Sequence, residues 1–532
     1  MTCTAHLLLA LFAVPAQAGD EPARDLPELV AVLERARGPS TWAGATAAAR
    51  ELGGLRDARA MAARLDLWEE KWDAFQGALL RDLLYQGMRR ATEAEEAEVL
   101  LAAGFDRRRH PWLRVLCFRA LAAGAAPVSA RDLFRRGFRR DEAAIRTAWQ
   151  EAAGRLLADG RVRFGRGAPR DAAEARRRLL AAGPPFPHLR ELRDWDEDER
   201  RALVECAVAH RDPGTRALAL RILAAGPAED ADLARAVPAA FDGDSVATRD
   251  AALDVIDRLG LADAVPTLIE DLTDAVRRGG RFPHEEAALL RRLTGRPFGP
   301  SPRAWERWWQ REGRDWLLAG GMPPLRSGAG ADAGGGAAPT VASFFGLTVH
   351  ARRVVLVVDG SGSMRATRIG EANAVEAAIR EARALLAGLE DGAAFEVVVV
   401  EERPVALFGE LRPVRRRTLA EAERFLAARE YRGTSALVEA LETAMTTPGA
   451  EAVLLVSDGG SSAGRHQFDE FVLEEAVRLH DRHGVEVHTV LVSGNRRHRR
   501  FMAELAERTG GRATQVAPAP PPSGPGASQE SS

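Results

Sequence analysis

A chain of 532 residues is long enough for two or more domains, each with a sizeable core. Its formal net charge of −2 excludes a global pull toward nucleic acid or an anionic membrane. Lys71 is the single lysine among 74 basic residues, and beside so much alanine this reads as GC-rich coding, not an arginine-selected surface.

Met1–Ala18 has the form of a cleavable signal peptide. Leu7 to Val14 make a short apolar core, and Ala16-Gln17-Ala18 is an A-x-A site before polar Gly19-Asp20. The segment is too short for a stable membrane anchor, and no later run reaches that length. Export, periplasmic or secreted, is therefore expected. Cys3 would leave with the leader. Cys117 and Cys206 remain in apolar helical patterns, where buried free thiols are expected and a bridge is the alternative.

Residues 19–325 read as one helical region, with turns at Gly, Pro and Asp. The segment Leu113 to Gly124 is echoed at Thr215 to Gly226 and, more loosely, at Thr248 to Gly260. The spacings are multiples of about 34 residues, the period of stacked helix pairs. Asp212-Pro213 and Asp244-Ser245 serve as starts, Gly226 and Gly260 as stops. The pattern resembles degenerate HEAT-like repeats, an irregular bundle being the alternative. Trp305, Trp308 and Trp309 share a helix face, and with Trp316 they are expected to pack as a core that caps the last repeat. The phrase Leu293 to Pro300 followed by these tryptophans resembles the closing segment of exported bacterial HEAT-repeat proteins.

Residues 326–341 are Gly/Ala-rich and read as a linker, so the halves are expected to fold separately. Residues 517–532 read as a disordered tail.

Between them, 342–516 alternate strands with helices. Val354–Val358, Phe395–Val400, Ala452–Ser457 and Glu486–Val492 read as buried strands, with Val405–Phe408 as a hairpin partner. Helices are predicted near Arg368–Leu389, Val414–Arg429, Ala436–Thr446, Gln467–Arg482 and Arg499–Arg508. This is a doubly wound, Rossmann-like α/β domain, whose ligands sit beyond the carboxyl ends of the strands.

The first strand ends in Asp359-Gly360-Ser361-Gly362-Ser363. One carboxylate and two hydroxyls at alternate positions are hard oxygen donors, suited to Mg²⁺, Mn²⁺ or Ca²⁺ and not to zinc. A dinucleotide fingerprint lacks its third glycine here. An aspartyl-phosphatase loop would want Asp at 361, and a nucleophile elbow would want glycines two before and two after the serine. Metal ligation survives. Two further loops should face this one, Arg432-Gly433-Thr434-Ser435 and Ser457-Asp458-Gly459-Gly460.

Together the three loops resemble the von Willebrand factor type A domain and its metal-ion-dependent adhesion site, over about Phe344 to Val516. The family's pattern is Asp-x-Ser-x-Ser, then Thr, then Asp, met here by Asp359, Ser361, Ser363, Thr434 and Asp458. The resemblance implies serines touching the cation directly, Thr434 directly or through water, and the aspartates largely through water. It also implies an open coordination position completed by a partner's carboxylate. Two carboxylates and three hydroxyls nearly neutralise a divalent ion, most simply Mg²⁺, without saturating it.

Arg496, Arg497, Arg499 and Arg500 follow the last long strand and are expected on the same rim, against Glu401 and Glu402 at the hairpin. An acidic protein partner follows from that positive balance. His480, His483 and His488 are expected in cap and dipole roles, and Arg412, Arg415, Arg416 and Arg417 as a solvated face. The sequence thus describes an exported, non-enzymatic binding protein, multidomain, with a HEAT-like helical solenoid before an α/β domain. Metal-assisted hydrolysis is the rival, disfavoured because the loops offer no general base. A third reading makes the repeats the binding surface.

Overall fold

In a computed structural model all three echo segments are helices, at Pro111–Ala123, Pro213–Ala225 and Val246–Leu259. The structure describes residues 24–36, 38–70, 74–135, 137–165, 169–321, 342–389 and 392–516. The leader at 1–18, the linker at 326–341 and the tail at 517–532 lie outside the described residues. The helix ends follow the expected chemistry. Ser245 Oγ accepts the amide of Thr248 at 3.3 Å, Asp212 Oδ2 accepts that of Thr215 at 3.1 Å, and Gly260 closes its helix in the left-handed conformation.

The chain divides into two compact units, Met1–His210 with Arg221–Leu233 and Arg211–Leu220 with Ala234–Ser532. The first is a series of helices around an alanine- and leucine-rich core. Its buried guanidiniums are compensated. Arg64 donates to the carbonyl of Leu52 at 2.6 Å and lies 3.6 Å from Glu96, and Arg114 meets Glu142 at 2.7 Å. Cys117 and Cys206 are buried and form no disulfide among the described residues, and burial pushes the Cys117 thiol up to about 12, which leaves it unreactive.

His188 in this unit is fully buried beneath Gly154, and neither ring nitrogen has a hydrogen-bond partner among the described residues. Burial, helped by the charge of Arg176, pulls its pKa down to about 3. The unfolded chain therefore takes this proton first, near 6.5. Stability is whole above that value and falls as the pH drops toward 3. The loss by pH 4 is about 3 kcal/mol from this group. Urea unfolding at pH 7 and pH 4 should show that loss reduced by a comparable amount in His188→Leu. An equal acid loss in both proteins would remove His188 as the cause.

In the second unit, helices Val265–Arg278, Phe282–Thr294 and Pro302–Trp308 lead to the tryptophans. Trp305 and Trp308 are fully buried, with ring centroids 6.0 Å apart, and Trp316 lies 5.7 Å from Trp308. Trp305 and Trp308 are core, as expected, while Trp309 and Trp316 are half-buried beside them. A π-turn at Trp309–Gly313 follows, where Trp309 packs over Gly313.

The α/β part has a seven-stranded sheet. Its strands are β1 (Arg353–Asp359), β2 (Ala394–Val400), β3 (Val405–Ala406), β4 (Arg412–Pro413), β5 (Ala452–Ser457), β6 (Glu486–Val492) and β7 (Ala513–Val516). The order is β4-β2-β1-β5-β6-β7, with β3 pairing β2; β3 and β4 are antiparallel to β2 and the remaining pairs are parallel. β1 explains the doubly wound form. Val354, Leu356 and Val358 enter one core with Phe395 and Val397, while Val355 and Val357 enter the other with Leu441 and Phe501.

The helices are α1 (Gly362–Ala366), α2 (Ala374–Gly388), α3 (Arg416–Ala427), α4 (Leu437–Met445), α5 (Asp469–His483) and α6 (Arg496–Arg508). Two starts differ from the sequence reading. α2 begins after a small hairpin, Arg368–Ile369 against Ala372–Asn373, because Asn373 and Glu376 form a capping box. α6 begins at Arg496, because Asn495 caps it by accepting the amide of His498 at 3.0 Å.

The few contacts expected across the linker are also not what this unit has. Arg281, just before the helix Phe282–Thr294, donates to the carbonyl of Gly484 at 2.6 Å and meets Glu486 at 3.0 Å. Arg352 donates to the carbonyl of Arg278 at 2.8 Å, and His284 stacks on His350 at 4.0 Å. The last helices are fastened to the α/β sheet.

Candidate functional site

β1 leads to β2 on one side and lies against β5 on the other, so the strand order reverses between β1 and β5. An open α/β sheet offers its crevice there, beyond the carboxyl ends. Asp359 is the last residue of β1 and Ser457 the last of β5. The chain turns away from Asp359 through Gly360, whose backbone nitrogen donates to the carbonyl of Val400 at 2.8 Å. A Cβ at 360 would stand 2.6 Å from that oxygen, so only glycine fits.

Asp359 is buried, and every hydrogen bond it accepts is local to the three loops. Its Oδ1 accepts the amide of Ser361 at 2.8 Å and the hydroxyl of Ser435 at 2.6 Å. Its Oδ2 accepts the hydroxyl of Ser457 at 2.6 Å. Burial, and next the charge of Asp458, push its pKa up, against the pull of these three donors. Two carboxylates close enough to act on each other are a charge excess that a cation would relieve.

Ser361 Oγ and Ser363 Oγ stand 2.8 Å apart at the start of α1. Adjacent ligands of an octahedral Mg²⁺ stand about 3 Å apart, given metal–oxygen distances near 2.1 Å. Ser361 is buried and Ser363 exposed, so the pair runs from the crevice to solvent. Thr434 is half-buried, one residue before Ser435, in the loop between α3 and α4. Asp458 is half-buried, one residue after Ser457. All five predicted residues thus lie on the three loops at one edge, and their donor set fits a hard divalent ion. Among the described residues no three His, Cys, Asp or Glu side chains converge as a metal group, and this set instead combines two carboxylates with three hydroxyls.

The loops are tied to one another. Ser435 donates its amide to Ser462 Oγ at 2.8 Å, and its carbonyl accepts the amides of Ser462 and Ala463. Ala436 donates to the carbonyl of Glu401 at 2.9 Å, and the hydroxyl of Tyr431 donates to the carbonyl of Leu426 at 3.0 Å. Ser435 and Ser457, the side chains that hold Asp359, were not singled out in the sequence. Their signal was position, each beside a predicted ligand. His498 was likewise missed. Its Nδ1 stands 2.8 Å from the carbonyl of Asp458, and it packs over Gly459, which has φ +117.

Arg496, Arg497, Arg499 and Arg500 are exposed on the first turns of α6, the helix joined to the Asp458 loop through His498. They are not equivalent. Arg497 is held by Asp469, Nε to Oδ2 at 2.7 Å, and with Arg500 it lines a cleft shared by Glu470, Glu474 and Glu504. The other clusters resolve as capping groups and pairs. Gly484 caps α5 in the left-handed conformation, His480 Nδ1 stands 3.1 Å from the carbonyl of Val485, and His488 lies 3.4 Å from Glu486.

A doubly wound sheet with hydroxyl-rich loops around a strand-end aspartate defines the class of domain. Residues 352–515 match the von Willebrand factor type A domain family, and this part of the chain is such a domain. Among solved structures it is similar to a von Willebrand factor type A protein from Catenulispora acidiphila (18% identity, 31% of this chain and 38% of that one, TM-score 0.27). It is also similar to an aerotolerance-related membrane protein from Bacteroides fragilis (18% identity, 31% and 90%, TM-score 0.25) and to the PilB minor pilin of Streptococcus sanguinis (12% identity, 31% and 56%, TM-score 0.25). TM-scores this low carry no weight for function. The match spans well under two thirds of the Catenulispora acidiphila chain. A search of the curated proteins returns no match. Among the described residues no helix is long and apolar enough to cross a membrane.

Proposed function

We propose that the α/β domain is a non-enzymatic protein-binding module. It holds a divalent cation, Mg²⁺ in the simplest case, through Asp359, Ser361, Ser363, Thr434 and Asp458. The observation that carries this reading is the convergence on Asp359 of three loops rich in hydroxyls, with a second carboxylate alongside. Domains of this family generally act in protein interaction and not in catalysis. The residues bind and orient here. Ser435, Ser457 and the Ser361 amide fix Asp359, and the cation supplies a charge for an incoming carboxylate. The export reading rests on Met1–Ala18, so the partner is sought outside the cytoplasm.

The test is retention of partner proteins by the immobilised full chain. Retention in Mg²⁺, release by EDTA and absence with Asp359→Asn are the expected results. Retention indifferent to both treatments would contradict the reading. The rim is tested on the retained partner. Replacing all four arginines by serine should slow association several-fold and flatten its salt dependence. Most of that effect should come from Arg496 and Arg499, because Asp469 already neutralises Arg497. Unchanged on-rates and salt slopes would leave the arginines as a solvated helix turn.

A further inference from the structure

β6 passes into α6 through two successive residues in the left-handed region, Ser493 and Gly494, with φ of 69° and 84°. That conformation is costly for a serine, and such strain is kept where a fold needs one particular direction. The direction here is toward the end of β5. A Cβ at 494 would stand 3.1 Å from the carbonyl oxygen of Asp458. Asn495 then caps α6 by accepting the amide of His498 at 3.0 Å, so the helix starts with its first turn against the Asp458 loop.

His498 is the side chain that this turn delivers. Its Nδ1 stands 2.8 Å from the carbonyl of Asp458. A carbonyl oxygen only accepts, so Nδ1 carries the proton and the ring donates to the backbone. The ring also lies over Gly459, where a Cβ would stand 2.4 Å from that of His498. At φ +117, Gly459 has a conformation that other residues adopt only with strain.

Asp458 is half-buried and is followed by two glycines, Gly459 and Gly460, so its carboxylate goes where a pliant backbone carries it. Ser457 Oγ, which also donates to Asp359, accepts the amide of Gly459 at 2.9 Å. His498 adds a hold from α6, a different element. A group that fixes a metal ligand from behind decides how well that ligand serves, although it never touches the ion.

We propose that His498 is a positioning residue of the cation site: it fixes the Asp458 backbone, so that the second carboxylate is in place before the ion arrives. The inference rests on the cation reading above. His498 lies among Arg496, Arg497, Arg499 and Arg500 on the first turns of α6, so the bond that fixes Asp458 also ties the arginine rim to the metal loop. Its contribution is the donor at Nδ1 and not a charge, since a neutral ring donates there as a protonated one does.

The test is calorimetric titration of Mg²⁺ into the full chain and two variants of it, with amide hydrogen exchange measured on the metal-free proteins. His498→Phe keeps a ring over Gly459 and removes the donor. His498→Asn restores a donor, because its Nδ2 stands as many bonds from Cα as Nδ1 of histidine does. His498→Phe should weaken Mg²⁺ binding about tenfold, the lower end of the range for groups that orient a metal ligand. It should also speed exchange at Gly459 and Gly460, and His498→Asn should stay near wild type in both measurements. A wild type and a His498→Phe that bind Mg²⁺ equally, or equal losses in the two variants, would overturn the positioning role. A wild type that binds no Mg²⁺ would instead overturn the cation reading, and this inference with it.

Discussion

Arg281→Met will lower the stability of the full chain by on the order of 3–5 kcal/mol, the range for breaking a buried charge network from one side. Arg281 is 3% exposed and contacts Asp250 at 2.6 Å, Glu285 at 2.9 Å and Glu486 at 3.0 Å. It also lies over the ring of Phe282 at 4.5 Å. Burial works against its charge, yet the three carboxylates together hold its pKa well above the usual arginine value. Methionine fills much of the same volume, so the cost is electrostatic: three carboxylates lose their counter-charge, and the carbonyl of Gly484 loses a donor. The penalty should shrink toward acid pH as Glu285, whose pKa burial pushes up to about 8, takes up its proton. Urea unfolding at pH 8 and pH 5 measures both effects, and a loss below about 1 kcal/mol at pH 8 would show the network to be solvated. The same contacts bear on truncation. A chain begun near Ala342 would expose Glu486 and Gly484 and should melt lower than the whole protein.

Asp359→Asn should separate folding from cation binding. An asparagine side chain keeps the shape and can still accept from Ser361 and Ser435, while the rotating hydroxyl of Ser457 can turn to accept from the new amide. It also removes a buried charge held beside Asp458. The metal-free variant should therefore stay within about 1 kcal/mol of wild type. Its affinity for Mg²⁺ should fall by a hundredfold or more, since one of two charges that neutralise the ion is gone. Thermal melts with and without Mg²⁺ check both: wild type should be stabilised by the ion, the variant should not. A metal-free variant that is already unfolded would make Asp359 a structural group first.

The four long strands of the sheet were legible in the sequence because they are buried on both faces, whereas the exposed β4 and half-exposed β7 carry no apolar run and escaped. Glu486–Val492 and Ala452–Ser457 have the boundaries read from their apolar runs. The candidate ligands were legible because Asp359, Ser361 and Ser363 sit together, and strand order brings the two distant loops to the same edge. What escaped was support that depends on packing. Ser435 and Ser457 become partners of Asp359 only when three loops close, and no spacing records that. Nothing in the sequence around Arg281 marks it, yet with Arg352 and His284 it fastens the last helices to the sheet. The start of α6 was missed for a local reason, a capping asparagine overshadowed by the charge run behind it.

The most direct test of the account is calorimetric titration of Mg²⁺ into the full chain after EDTA treatment and dialysis. One saturable site in the wild type, weakened in Ser363→Ala and lost in Asp359→Asn, is the predicted result. No saturable heat in the wild type, or the same isotherm in Asp359→Asn, would contradict a cation site at these loops, and with it the proposed mode of partner binding.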